Sequence, residues 1–162
     1  MVQATQTDIY QHRVKDLMSR DVVTLGPEDS IHEALTIMGE NRVSALPVVD
    51  KRNRCVGILS TADLIDMVRD LDGDVAMLNT ADASSLRFLL ERLAHHSDGE
   101  TVAVFMSESV TTIDPETSIA HATREMLRNH IHHLPVVNDQ DRLVGIVSSI
   151  DILAEFADAA PE

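Results

Sequence analysis

Two segments of this chain carry the same arrangement of chemically useful residues: Gly57-Ile58-Leu59-Ser60-Thr61-Ala62-Asp63 and Gly145-Ile146-Val147-Ser148-Ser149-Ile150-Asp151. Each reads as a strand that becomes a helix at the serine. A helix N-terminus offers unpaired N–H groups and the positive end of a dipole, so an anion can dock there. The hydroxyl of Ser60 or Ser148 adds a donor for a phosphate oxygen. Asp63 or Asp151, three residues on, can accept from the vicinal hydroxyls of a ribose, as acidic residues do in other nucleotide sites. Gly57 and Gly145 let a ligand or a neighbouring strand approach the backbone. The same Ser-x-x-Asp spacing is also close to a capping box, which only stabilises a helix. The motif alone leaves both readings open.

Catalytic patterns are missing from the sequence. There is no Gly-x-Ser-x-Gly, P-loop or His-Glu-x-x-His segment. The one cysteine, Cys55, lies in an apolar run and reads as a buried, inert thiol, with no intrachain disulfide. The chain is therefore read as a non-enzyme. Its net charge of −14 repels phosphate backbones and anionic membrane surfaces, which argues against nucleic acid or membrane as partners. Residues 1–12 lack the apolar core of a signal peptide. No apolar stretch approaches the roughly 20 residues of a membrane helix. A soluble, cytoplasmic protein is expected. The hydrophobic fraction is 44%, but Tyr10, Phe88, Phe105 and Phe156 are the only aromatics, so the core must be aliphatic.

The elements that position these residues come from an internal repeat. Shifted by 88 residues, the chain matches itself without a gap, with 22 identities over the 52 positions from Val14/Val102 to Ile65/Leu153. Met18-Ser19 meets Met106-Ser107, and Leu46-Pro47-Val48-Val49 meets Leu134-Pro135-Val136-Val137. In the first copy, Val22-Val23-Thr24-Leu25 reads as a short strand ended by Gly26-Pro27. Ser30 and Glu33 form a capping-box pattern. Ile31, Ala34, Leu35 and Met38 then make one apolar helical face, with Asn41 as a left-handed stop. Leu46–Asp50 is an apolar strand whose proline suggests an edge or strand-start position. Lys51-Arg52-Asn53 turns the chain into the strand Cys55–Leu59. Ser60 caps a second helix carrying Leu64, Ile65, Val68 and Leu71. The predicted unit is strand–helix–strand–strand–helix. Such a unit is small to stand alone, so the two copies are expected to pack sheet to sheet about a pseudo-two-fold axis. Residues 1–12 and 157–162 read as tails. The connector at 73–100 reads as a helix capped by Ser84 or Ser85, with Leu86, Leu89, Leu90 and Leu93 as a packing stripe.

The order, spacing and duplication of these segments resemble the cystathionine-β-synthase (CBS) domain family. The carriers are Met18-Ser19, Thr24–Ile31 with its copy Thr112–Ile119, the Leu-Pro-Val-Val segments, and the two Gly-x-x-Ser-x-x-Asp segments. The resemblance covers residues 13–72 and 101–156. It implies an α/β fold of two β-α-β-β-α repeats forming one CBS-pair module, with clefts between the repeats for adenosine-containing ligands, and modules that pair into dimers. It assigns Ser60 and Ser148 to phosphate, Asp63 and Asp151 to ribose, and Thr24 and Thr112 to the segment flanking the base.

Just before Leu-Pro the copies differ. The second has His130-Ile131-His132-His133 where the first has Arg42-Val43-Ser44-Ala45. In nucleotide-sensing relatives such positions carry His or Arg facing phosphates, which makes His132 and His133 candidates and the two sites inequivalent. His130 and His132, at alternate positions of an extended segment, would also suit a metal, although no Cys or paired carboxylate completes a set. The resulting expectation is a regulatory module with no obligatory cofactor. It binds AMP, ADP or ATP, forms a homodimer and signals to an effector protein in trans. The alternatives are an interaction module with idle clefts, or a sensor of S-adenosylmethionine or NAD.

Overall fold

A computed structural model describes residues 12–71 and 99–158. The predicted connector helix and most of both tails fall outside these residues. The described chain forms two compact units.

In the unit built on the first repeat, Ser30 is the N-cap of helix α2 (Ile31–Asn41), its Oγ accepting from Glu33 N at 3.1 Å. The predicted face, Ile31, Ala34, Leu35 and Met38, is buried. The helix runs one residue further than its predicted stop. Asn41 stays helical, donating from Nδ2 to Ile37 O at 2.8 Å, and Arg42 takes the left-handed position at φ 54°. Strands β1 (Ala45–Val49) and β2 (Cys55–Ser60) form a two-stranded sheet. Helix α3 (Thr61–Leu71) follows directly, with Leu64 and Ile65 buried. The side chains of Val68 and Leu71 are not among those described. Cys55 is half-buried.

The unit built on the second repeat duplicates this plan. Ser118 caps α5 (Ile119–Asn129), and His130 ends it at φ 54°. Strands β3 (His133–Val137) and β4 (Leu143–Ser148) pair antiparallel, with His133 opposite Ser148, and α6 (Ser149–Asp158) completes the unit.

The predicted first strand shrinks to a single parallel bridge in each unit, Leu25 to Val48 and Ile113 to Val136. Ile113 N donates to Pro135 O at 3.0 Å, and Val137 N donates to Ile113 O at 2.9 Å. The next rung would need an N–H from residue 135, which proline lacks. Pro47 stops the ladder beside Leu25 in the same way. The proline therefore sits mid-strand, with its missing donor on the side where the third strand ends.

Each unit also borrows the segment that opens the other repeat in sequence. The turn α1 (Val14–Leu17) and Ser19 pack in the second-repeat unit, where Val14 N donates to Thr117 O (2.9 Å) and Ser19 N to Ile146 O (2.9 Å). The turn α4 (Val102–Phe105) and Ser107 pack in the first-repeat unit, where Val102 N donates to Asp29 O (2.8 Å) and Ser107 N to Ile58 O (2.9 Å). Val14 and Val102 are fully buried and join two aliphatic cores. One includes Leu25, Leu46, Val48, Leu59 and Leu64, the other Ile113, Leu134, Val136 and Val147. Burying each such side chain contributes about 1.5–3 kcal/mol.

The borrowed segments explain the glycines. A Cβ on Gly145 would stand 2.6 Å from Met18 Sδ and 3.0 Å from Ser19 O, and one on Gly57 would collide with Met106. Of the two sequence readings, the structure thus supplies the neighbouring backbone. Gly145→Ala should destabilise the protein by about 1–3 kcal/mol, the usual range for overpacking. Gly39→Ala, in exposed α2 with nothing within 4 Å, should stabilise it by about 0.4–1 kcal/mol. Urea unfolding of the two variants checks both signs.

Candidate functional site

Each strand-to-helix junction is organised by its serine and aspartate. In the first unit, Ser60 N and Ser60 Oγ donate to Asp63 Oδ2 at 2.7 and 2.5 Å, and Asp63 N donates back to Ser60 Oγ at 3.4 Å. In the second, Ser148 N and Oγ donate to Asp151 Oδ2, both at 2.7 Å, and Asp151 N donates to Ser148 Oγ at 3.2 Å. Both are reciprocal capping boxes. A carboxylate offers about four acceptor positions, so the box leaves each aspartate able to accept further hydroxyls. All four residues are half-buried.

One further partner was not singled out as a ligand residue in the sequence. Ser107 Oγ donates to Asp63 Oδ1 at 3.0 Å. The available signal was the duplication of Met-Ser at 18–19 and 106–107.

The predicted residues of the second unit are brought together. His133 lies opposite Ser148 in the β3–β4 register. His132 O accepts from Ser149 N at 2.9 Å, and His132 Nδ1 lies 3.5 Å from Ser149 Oγ. The histidine pair, the serines and Asp151 thus surround one helix start. Burial pushes the His133 imidazole below its ordinary pKa of 6.5. Neighbouring His132 pushes it the same way, and Asp151 opposes them. The first unit uses the same frame, Ser44 O accepting from Thr61 N at 2.9 Å, but with Ser44 and Ala45 as side chains. Thr112 and Thr24 are placed by the backbone next to Ile113 and Leu25, beside the proline of the central strand. Among the described residues, no hydrogen bond joins either threonine to a box. His130 does not alternate with His132 along an extended segment, because it occupies the left-handed helix end. Among the described residues, no group of three His, Cys, Asp or Glu side chains could hold a metal ion. No described helix is long and apolar enough to cross a membrane.

Comparison with known proteins gives the family. The CBS domain family model matches residues 14–70 and 101–158. The chain belongs to the CBS-domain family and carries two copies of the domain. It is 33% identical over 140 residues to the CBS domain-containing protein YhcV of Bacillus subtilis, covering 86% of this chain and 81% of YhcV. It is 27% identical over 150 residues to the uncharacterized protein MJ1225 of Methanocaldococcus jannaschii, covering 92% of this chain but only half of MJ1225. Among solved structures, the CBS domain pair of MJ0100, in complex with 5′-methylthioadenosine and S-adenosyl-L-methionine, superposes with a TM-score of 0.69 at 27% identity, covering 92% and 98% of the two chains.

The lowered pKa of His133 makes stability depend on pH. The unfolded imidazole takes up a proton near pH 6.5, the folded one only at lower pH. In that window the unfolded state holds more protons, so this contribution is fully present above about pH 6.5 and is lost as pH falls through the folded value. Urea unfolding between pH 7.5 and 5 should show this decline. His133→Gln should flatten it, and an unchanged slope would show that His133 does not cause it.

Proposed function

We propose that this protein is a non-enzymatic regulatory module that binds an adenine nucleotide, AMP, ADP or ATP, at its Ser-x-x-Asp boxes. In this reading it acts in the cytoplasm as a homodimer and reports the nucleotide to an effector protein in trans. The observation that carries the reading is the convergence of His132, His133, Ser148 and Asp151 on one helix start. A capping box needs only the serine and the aspartate. The two imidazoles beside it add nothing to capping, but they suit a phosphate held at the N–H groups of that helix. Asp151 and Asp63 are the matching acceptors for ribose hydroxyls, and Thr112 and Thr24 flank the base. The adenosine compounds bound by the MJ0100 pair support the ligand class. They also favour a second reading, a sensor of S-adenosylmethionine.

Binding moves the conformational equilibrium only as far as the ligand's affinities for the two states differ. The module would therefore signal by stiffening around the occupied box.

A thermal-shift series with AMP, ADP, ATP, S-adenosylmethionine and NAD tests the reading. A ligand that binds only the folded state stabilises it by about 2.7 kcal/mol at a hundred times its Kd. One adenosine compound should raise Tm by several degrees, and the Asp63→Ala/Asp151→Ala double variant should lose that rise. No shift with any compound at millimolar concentration would leave an interaction module with idle boxes.

A further inference from the structure

The two boxes share one backbone and differ in the side chains around it. In both units the first N–H of the helix donates at 2.9 Å to the carbonyl two residues before the Leu-Pro pair, that of Ser44 or His132. Ser44 therefore matches His132 and Ala45 matches His133, position by position. His132 is exposed and lies 3.5 Å from Ser149 Oγ, while His133 is half-buried opposite Ser148. Ala45 is buried, and Ser44 is a neutral hydroxyl. The helix that follows adds to the contrast. Asp66 stands on α3 where α6 has Ala154. On α6, Glu155 is paired with His12 Nδ1 at 2.8 Å. In the first unit Asp63 also takes the Ser107 hydroxyl on its second oxygen.

We propose that the two boxes select ligands of different charge. The Ser148–Asp151 box, with His132 and His133, takes a phosphorylated adenosine ligand. The Ser60–Asp63 box, with Ser44 and Ala45 in their places, takes an adenosine ligand that carries no phosphate. This rests on the adenosine reading above and adds to it the residues that set specificity. The physical reason is charge balance. A phosphate monoester carries about −1.5 to −2 charges at neutral pH, in a chain whose net charge is −14. At the second box two imidazoles can offer ring N–H donors to it. At the first box the matching side chains, a hydroxyl and a methyl, cannot offset that charge beside Asp63. A nucleoside without phosphate escapes that repulsion and still offers its ribose hydroxyls to Asp63. The charged group facing His133 from α6 is Asp151, with His132 beside it in sequence, and β4 presents the neutral Ser148. A bound phosphate adds negative charge next to this group and favours its protonated form.

Isothermal titration with AMP and with adenosine, at pH 8.0 and 6.5, tests the division on the full chain and on folded variants checked by circular dichroism. In the wild type, AMP affinity should rise severalfold from pH 8.0 to 6.5, above the phosphate's own second pKa of about 6, while adenosine affinity should not follow pH. His132→Ser/His133→Ala, which gives the second box the side chains of the first, should lower the ratio of AMP to adenosine affinity at least tenfold. Ser44→His should add an AMP equivalent. Asp151→Asn should remove the AMP equivalent, and Asp63→Asn an adenosine equivalent. An unchanged affinity ratio in the His132/His133 variant, or equal loss of AMP in Asp63→Asn and Asp151→Asn, would overturn the charge division while leaving adenosine binding in place. Arg42 acting as a phosphate partner of the first box would appear as that second result. Failure of the wild type to bind either compound would overturn the adenosine reading itself.

Discussion

The fold depends on backbone pairing between segments 49 to 127 residues apart. Val14 and Ser19 bond to Thr117 and Ile146, and Val102 and Ser107 bond to Asp29 and Ile58. Each borrowed turn drives one fully buried valine into a core that its own repeat leaves open. Both positions also require a partner strand without a Cβ, which is why Gly57 and Gly145 stand opposite Met106 and Met18. A repeat cut out at the boundaries of its sequence match would keep its sheet and both helices but lose this lid. Closing such long loops costs entropy before the contacts form, so the aliphatic burial must offset it all at once. That favours one cooperative transition for each unit rather than piecemeal assembly.

The borrowed segment also reaches the functional site. Ser107 arrives beside Ile58 by main-chain bonding, and its hydroxyl then falls 3.0 Å from Asp63. An element whose first role is packing thus helps to orient the candidate site's carboxylate. Capping and binding are not rival uses of the Ser-x-x-Asp box. The same unpaired N–H groups and dipole that make a helix start need a cap also make it attract an anion. With the box formed, the aspartate is already held by the serine N–H and hydroxyl, so a ligand meets an ordered acceptor and loses less entropy on binding.

Much of this was legible in the sequence, because the gapless repeat doubled every signal. The caps Ser30 and Ser60, the buried face of α2 and the hairpin strands all follow from local pattern. What failed did so where a partner outside the local pattern, a proline in the neighbouring strand or the geometry of a helix end, decides. Val22–Leu25 has strand propensity, yet only Leu25 is bridged, because the ladder would have to continue through the absent N–H of Pro47. Asn41 is a good left-handed residue, but its side chain found Ile37 O and passed the role to Arg42. The alternation of His130 and His132 looked like a ligand pair only while the segment was taken as extended. The borrowing of residues 14–19 and 102–107 left no local trace beyond the repeated Met-Ser and the glycines, whose reason lay in another part of the chain.

His133 shows how stability and specificity meet at one side chain. Burial disfavours the charged form of His133, and neighbouring His132 acts in the same direction. Alanine, the residue at the same place in the first repeat, avoids that conflict and is nearly fully buried. A titratable residue buried where a small apolar one suffices is the kind of local violation found at functional sites. The conflict is relieved by whatever brings negative charge to the start of α6. Asp151 supplies part of that charge, but it is already engaged by Ser148. In the proposed reading a phosphate at the same helix start would supply the rest, turning a cost of burial into affinity for an anion. The first repeat, without the histidines, has no such conflict to relieve.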